Sequence, residues 1–202
     1  MQAVAVEDGC LLDVNPSTGE LIERVKISTP AEVDAAVAAA AAAQPGWADV
    51  GLATRHEMLA AAMGKLRARA AEVQLAGLIT KEMGKVIGEA KDEVDGAISK
   101  DEFLKLVRAA NEDELIEPAS GTTVVRSPHG VVAVISPWNF PADEILLLAL
   151  PALMAGNAVV VKPSEVTPLV GKAVVESLQE ALPPGVLQLL QVYCTAAGFI
   201  IN

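Results

Sequence analysis

VVAVISPWNFP at residues 131–141 and AVVVKPSE at residues 158–165 decide how this chain reads. Each is an apolar run that breaks into a polar loop. Residues 131–135 lead into Pro137-Trp138-Asn139-Phe140-Pro141, and residues 158–161 lead into Lys162-Pro163-Ser164-Glu165. Between them, residues 142–154 read as a helix that ends before Gly156. Strand, loop, helix and strand in that order make one unit of a parallel sheet, because parallel neighbours need a crossover between them. In open α/β sheets ligands bind beyond the carboxyl ends of the strands, and both polar loops fall there.

The same pattern continues outward on the C-terminal side, with a helix at 168–182 and a strand at 186–190. Fully apolar strands alternating with helices imply a parallel sheet covered on both faces. On the N-terminal side, residues 11–27 read as a β-hairpin about the turn cluster Asn15-Pro16-Ser17-Thr18-Gly19. An Ala-rich helix follows, with Ser28 or Thr29 as N-cap and Pro30 in first position, and Gln44-Pro45-Gly46 is expected to stop it after Ala43. Apolar spacing across 52–79 predicts two helices broken near Arg69-Ala70. Gly84 precedes one long amphipathic helix over 86–111, and 122–126 alternates as a strand before the turn Pro128-His129-Gly130. The expected fold class is α/β: an N-terminal hairpin and helices leading into the first half of a doubly wound, Rossmann-like parallel sheet. The division is 1–130 for the hairpin, helices and the strand at 122–126, 131–191 for a partial dinucleotide-binding domain, and 192–202 for a tail.

Composition narrows the function. The 202 residues are 52% hydrophobic but only 3% aromatic, so the core must be built from Ala, Val and Leu. A formal charge of −11 argues against nucleic-acid binding, which needs clustered Lys and Arg. Cys10 and Cys194 are too few and too far apart for a disulfide framework, and reduced thiols in a cytoplasmic protein are expected. Residues 1–13 lack the basic-then-apolar order of a secretory signal. The run 145–154 is interrupted by Pro151 and is too short to span a bilayer, so no membrane is expected as partner. His56 and His129 have no second ligand at metal-binding spacing, and no metal is expected.

The two loops together resemble the aldehyde dehydrogenase superfamily. Further matching stretches are Asn15-Pro16-Ser17-Thr18-Gly19-Glu20, Glu82-Met83-Gly84-Lys85 and Pro151-Ala152-Leu153 leading to Ala155-Gly156-Asn157. The resemblance implies that Asn139 is catalytic, its side-chain amide stabilising an oxyanion. It implies that Ser136, Pro137 and Trp138 lie beside the nicotinamide half of a dinucleotide. Lys162, Ser164 and Glu165 would hold the adenosine ribose. A carboxylate at the ribose disfavours a 2′-phosphate, so NAD is the expected cofactor, with NADP possible.

The resemblance also implies what is missing. The family's aldehyde oxidation runs through a cysteine thiolate, a thiohemiacetal and a thioester that a glutamate-activated water hydrolyses. The chain is less than half the family's usual length and is expected to stop before both residues. Cys194 lies in the divergent tail with no base nearby, and Cys10 precedes the hairpin. Three readings therefore stand: a truncated aldehyde dehydrogenase, inactive alone; a non-catalytic subunit that joins full-length relatives or forms a homo-oligomer through 121–128 and its neighbours; and a bare, weak NAD-binding module. The substrate class would be an aldehyde, unspecified by these residues. A half sheet ending at 186–190 is expected to leave an apolar edge open. The absence of G-x-G-x-x-G and of G-x-S-x-G argues against an ordinary Rossmann dehydrogenase and a serine hydrolase.

Overall fold

The polypeptide is described by a computed structural model over residues 4–117 and 119–193. It opens with three antiparallel strands, β1 (Ala5–Glu7), β2 (Cys10–Val14) and β3 (Leu21–Lys26). The β2–β3 hairpin is the expected one, and its turn closes through Asn15, whose carbonyl accepts from the Gly19 N–H at 2.8 Å and whose Oδ1 accepts from the Ser17 N–H at 2.9 Å. Strand β1 is only three residues long with every side chain exposed, which leaves no alternating pattern to find it by.

Helix α1 (Pro30–Asp49) begins as expected, with Pro30 in its first turn. Thr29 Oγ1 accepts from the Glu32 N–H, and the Glu32 carboxylate accepts from the Thr29 N–H, a reciprocal cap of two otherwise unpaired donors. The expected stop at Gln44-Pro45-Gly46 does not occur. The helix continues through Pro45 to Asp49 because tertiary bonds hold its last turns: Gln44 Nε2 donates to the Gly156 carbonyl at 3.0 Å, and the buried Trp47 indole donates to the Leu153 carbonyl at 2.8 Å.

Two further boundaries differ from the sequence expectation. Helix α2 (Leu52–Glu72) runs past Arg69-Ala70, because Leu59, Ala62, Met63, Leu66 and Ala70 form one unbroken buried stripe. The break falls at Gln74, which takes a left-handed conformation (φ 50°) before α3 (Leu75–Met83). The single helix expected over 86–111 is two, α4 (Ile87–Ile98) and α5 (Asp101–Ala110). Arg67 Nε takes up the Ile98 carbonyl at 2.7 Å, and Arg67 also pairs with Asp101, so an interhelical arginine satisfies the interruption. Strand β5 (Thr122–Val124) pairs with β4 (Glu114–Glu117), a second short strand that periodicity did not reveal.

The last third follows the expected alternation: β6 (Val131–Ile135), α6 (Asp143–Met154), β7 (Ala158–Lys162), α7 (Pro168–Gln179) and β8 (Leu187–Leu189). The three strands are parallel in the order β6-β7-β8. Strand β7 is buried at every position. Val159 and Val161 face the main core with α6 and α7, while Ala158 and Val160 join Val33, Ala36 and Ala40 of α1 on the other face. Small α1 side chains permit a close approach there. A Cβ placed on Gly185 would come within 2.9 Å of the Ala39 carbonyl oxygen and 2.8 Å of the Ala43 Cβ. Among the described residues, β8 has one paired side only, while its Leu187 is buried. No helix among the described residues is long and apolar enough to cross a membrane. Cys194 and most of the expected tail lie outside the described residues.

Candidate functional site

Strand register brings the two loops together. Ile135 pairs with Lys162, and the Ser136 N–H donates to the Lys162 carbonyl at 3.0 Å, so both chains leave the sheet at one level. The site residues then separate by surroundings. Ser136 is buried under its loop. Pro137, Trp138, Asn139 and Phe140 are exposed. Lys162 is 4% exposed, so its side chain does not extend into solvent from the end of β7. Its ammonium folds back, donating to the Pro163 carbonyl at 2.9 Å and to Glu165 Oε2 at 2.8 Å. Ser164 turns inward, and its Oγ accepts from the Val166 N–H at 3.2 Å.

Glu165 is only partly covered and is held in its charged form. Burial alone would raise its pKa; the Lys162 ammonium and the residue's own N–H outweigh that and bring it below the ordinary range. A cavity of about 280 Å³ adjoins this carboxylate, and its walls include Trp138, Val166, Asp13, Val14 and Glu82. The structure thus brings Trp138 of the first loop and Glu165 of the second to one cavity. Asn139 lines neither this cavity nor the acidic groove beside Phe140 and Asp143. Among the described residues its side-chain amide has no hydrogen-bond partner, while its backbone carbonyl accepts from Lys85 Nζ at 2.7 Å.

Four residues of this region escaped the sequence reading: Asp13, Glu82, Lys85 and Glu93. Glu82 is buried and caps a helix from a distance, its two oxygens accepting from the Leu169 and Val170 N–H groups of α7 at 2.7 and 2.9 Å. Asp13, on β2, faces Glu82 across a shared hydrogen bond. Burial first, and then the charge of Asp13, push Glu82 well above the ordinary range against the pull of the two N–H groups. Burial also raises Asp13, to about 6, with a lesser push from Glu23 and an opposing pull from its bond to Glu82. Each carboxyl perturbs the other, so their titration belongs to the pair. The one signal in the sequence was Glu82-Met83-Gly84-Lys85, a matching motif whose partner Glu93 lies 8 residues away in α4 and whose other partners lie 54 or more away, in the loop of Asn139, in β2 and in α7.

The sign of the pH effect follows. A carboxyl whose folded pKa lies above its ordinary value contributes stability that is complete below about 3.8 and is lost as pH rises through about 6. Asp13→Asn is therefore expected to raise stability at neutral pH by about 1–3 kcal/mol and to flatten its dependence between about pH 4 and 7. Thermal melts of both proteins across that range check this. A variant that melts lower than the parent at neutral pH, with the same slope, would contradict it.

Comparison with known proteins places these features in a family. The family model described as the aldehyde dehydrogenase family matches residues 5–199. An N-succinylglutamate 5-semialdehyde dehydrogenase of Shigella boydii is 39% identical over 180 residues, which are 88% of this chain and 36% of that protein. A 3,6-anhydro-alpha-L-galactose dehydrogenase of Streptomyces coelicolor is 38% identical over 185 residues, 90% of this chain and 37% of that protein. Among solved structures, lactaldehyde dehydrogenase from Escherichia coli superposes with a TM-score of 0.85 at 30% identity, over 96% of this chain and 41% of that one. PnpE in complex with nicotinamide adenine dinucleotide superposes with a TM-score of 0.84 at 35% identity, over 94% of this chain and 39% of that one. The chain spans little more than a third of the length of the curated relatives it matches.

Proposed function

The chain belongs to the aldehyde dehydrogenase family, and from that premise we propose that these residues form the dinucleotide-gripping and oxyanion-stabilising portion of an NAD-dependent aldehyde oxidation site. The observation that carries the reading is the joining of the two loops at the tips of paired strands, with Trp138 and Glu165 at one cavity. The donor set suits a dinucleotide. Vicinal ribose hydroxyls need both a donor and an acceptor, and Lys162 and Glu165 supply one of each at a strand's end. In this structure these two satisfy one another, so binding would exchange part of an existing ion pair for bonds to the ribose. Ser164 holds the shape of their loop, and Ser136, Pro137 and Trp138 would flank the nicotinamide half. The bound dinucleotide would supply a hydride acceptor.

Asn139 contributes the oxyanion donor. Its amide has no competing partner among the described residues, and it lies between Pro137 and Pro141, which limit the freedom of the loop. One pre-aimed donor of this kind stabilises a developing oxyanion by roughly 3 kcal/mol. The thiolate and general base of the family's covalent chemistry are assigned to sequence outside these residues. Cys10 lies on β2 opposite Lys26, in the N-terminal sheet, and plays no part. On this reading the isolated chain does not turn over aldehydes.

A second reading, that the chain associates with a second copy or with longer relatives, is favoured by the β4–β5 hairpin. Ile116 is 59% and Val125 65% exposed on or beside it. Calorimetric titration of NAD into the 202-residue chain, with mass by light scattering and an assay for aldehyde-dependent NADH, tests both readings. NAD is expected to bind more tightly than NADP, with Lys162→Met weakening NAD by at least about tenfold. A folded chain indifferent to NAD, or one that forms NADH unaided, would overturn the main reading. A strictly monomeric mass would remove the second.

A further inference from the structure

Lys85 and Glu93 lie outside both strand-tip loops, yet they grip the first of them from several sides. Gly84 ends α3 in a left-handed conformation (φ 77°), and Lys85 follows in the short link to α4. Its ammonium donates to Glu93 Oε2 at 2.5 Å and to the Asn139 carbonyl at 2.7 Å, and it lies 3.9 Å over the Phe140 ring centroid. The other oxygen of Glu93 accepts from the Ala142 N–H at 3.1 Å, at the entry to α6. One ion pair thus holds residues 139, 140 and 142. The side chains of Lys85 and Glu93 are 8% and 1% exposed. Solvent screening, which makes surface pairs nearly worthless, is small here, and loss of either partner strands a buried charge.

Every one of these contacts to position 139 is made through the backbone. The Asn139 amide is left without a partner among the described residues while the chain that carries it is fixed. A fixed backbone removes part of the reorganisation that a donor would otherwise need at the moment charge develops. We propose that the Lys85–Glu93 pair is a positioning device, fixing the backbone of residues 139–142 so that the Asn139 amide is held aimed and unoccupied. Neither residue touches the reacting atoms, and the role rests on the reading of Asn139 as the oxyanion donor. Arginine at position 85 retains a cation for Glu93 and for the Asn139 carbonyl, whereas methionine retains only the stem and bulk.

The test is nitrogen-15 NMR and amide hydrogen exchange on the 202-residue chain, with K85M, K85R and E93Q. In K85M the amide signals of residues 139–142 and the Asn139 side-chain NH₂ pair are expected to move towards random-coil positions. Exchange at Ala142 is expected to quicken by about tenfold or more. The amides of Leu66 in α2 and Val160 in β7 report global stability, and their protection should fall far less. K85R is expected to keep Ala142 within about threefold of the parent. A folded K85M whose 139–142 signals and exchange match the parent overturns the proposal. So does a K85R that loosens the loop as much as K85M does. Should K85M not fold, E93Q decides in the same spectra: moved signals at 139 and 140 support the clamp, and unmoved ones overturn it. No dinucleotide or aldehyde is present in these samples, so a failure to bind NAD bears on the proposed function alone.

Discussion

Gly171→Ala is expected to cost about 3 kcal/mol of folding stability or more and to disturb the Lys162–Glu165 loop together with it. A Cβ at this position would lie 2.3 Å from the Pro163 Cβ and 2.4 Å from its Cγ, with Ile145 Cδ1 a further 3.6 Å neighbour. Atoms of that kind do not approach so closely, so something must shift. Pro163 cannot swing aside, because its ring is closed on the backbone and lies between the buried Lys162 and Ser164. Helix α7 must therefore retreat from the tip of β7, loosening Val170, Val174 and Leu178 from the core. The glycine acts through close helix–strand contact and not through an unusual backbone angle. Urea denaturation should show a lowered midpoint, and the same variant should bind NAD more weakly than the loss of folded protein explains. A midpoint within error of the parent would mean that the helix yields freely, and the packing account would be wrong.

Glu82→Ala is expected to destabilise by about 3 kcal/mol, opposite in sign to Asp13→Asn at neutral pH. The glutamate costs desolvation and repels Asp13, yet its two oxygens serve the Leu169 and Val170 N–H groups at the start of α7. Alanine leaves both donors buried beside an unfilled space. It also deprives Asp13 of its hydrogen-bonding neighbour, and Asp13 Oδ2 already has no partner. Glu82→Gln keeps one acceptor oxygen but aims an N–H at a helix start that itself presents N–H groups, so a smaller loss is expected. Chemical denaturation at pH 5.5 and 7.5 separates the contributions. Relief of the carboxyl pair matters more at the higher pH, so the net cost of Glu82→Ala should be larger at the lower one. A variant as stable as the parent at both would show that the α7 donors find other partners.

The Glu82 prediction rests on a contact between segments 87 residues apart in the chain, and that is where legibility stopped. The β6-α6-β7-α7-β8 order was readable because burial on both faces imposes continuous apolar runs, and crossover helices must separate parallel strands. The positions of the site loops were readable for the same reason. Boundaries of the N-terminal helices were not. Pro45 carries a stop signal that Trp47 and Gln44 override by bonding to the end of α6. The interruption at Ser99-Lys100 carries no breaker residue and is stabilised by Arg67 from another helix. Strands β1 and β4, three and four residues long, lack room for a period to show.

The β6-α6-β7-α7-β8 order, the family and the two strand-tip loops were determined by local pattern alone, since strand burial and loop composition act over a few residues. Only the tertiary structure decided how the polar groups are used. It turned Lys162 inward onto Glu165, set Glu82 against Asp13 and the start of α7, and placed the Lys85–Glu93 pair under the loop of Asn139. The physical reason is that a buried charge must find its partner wherever the fold brings one within about 3 Å, and sequence spacing holds no record of that distance.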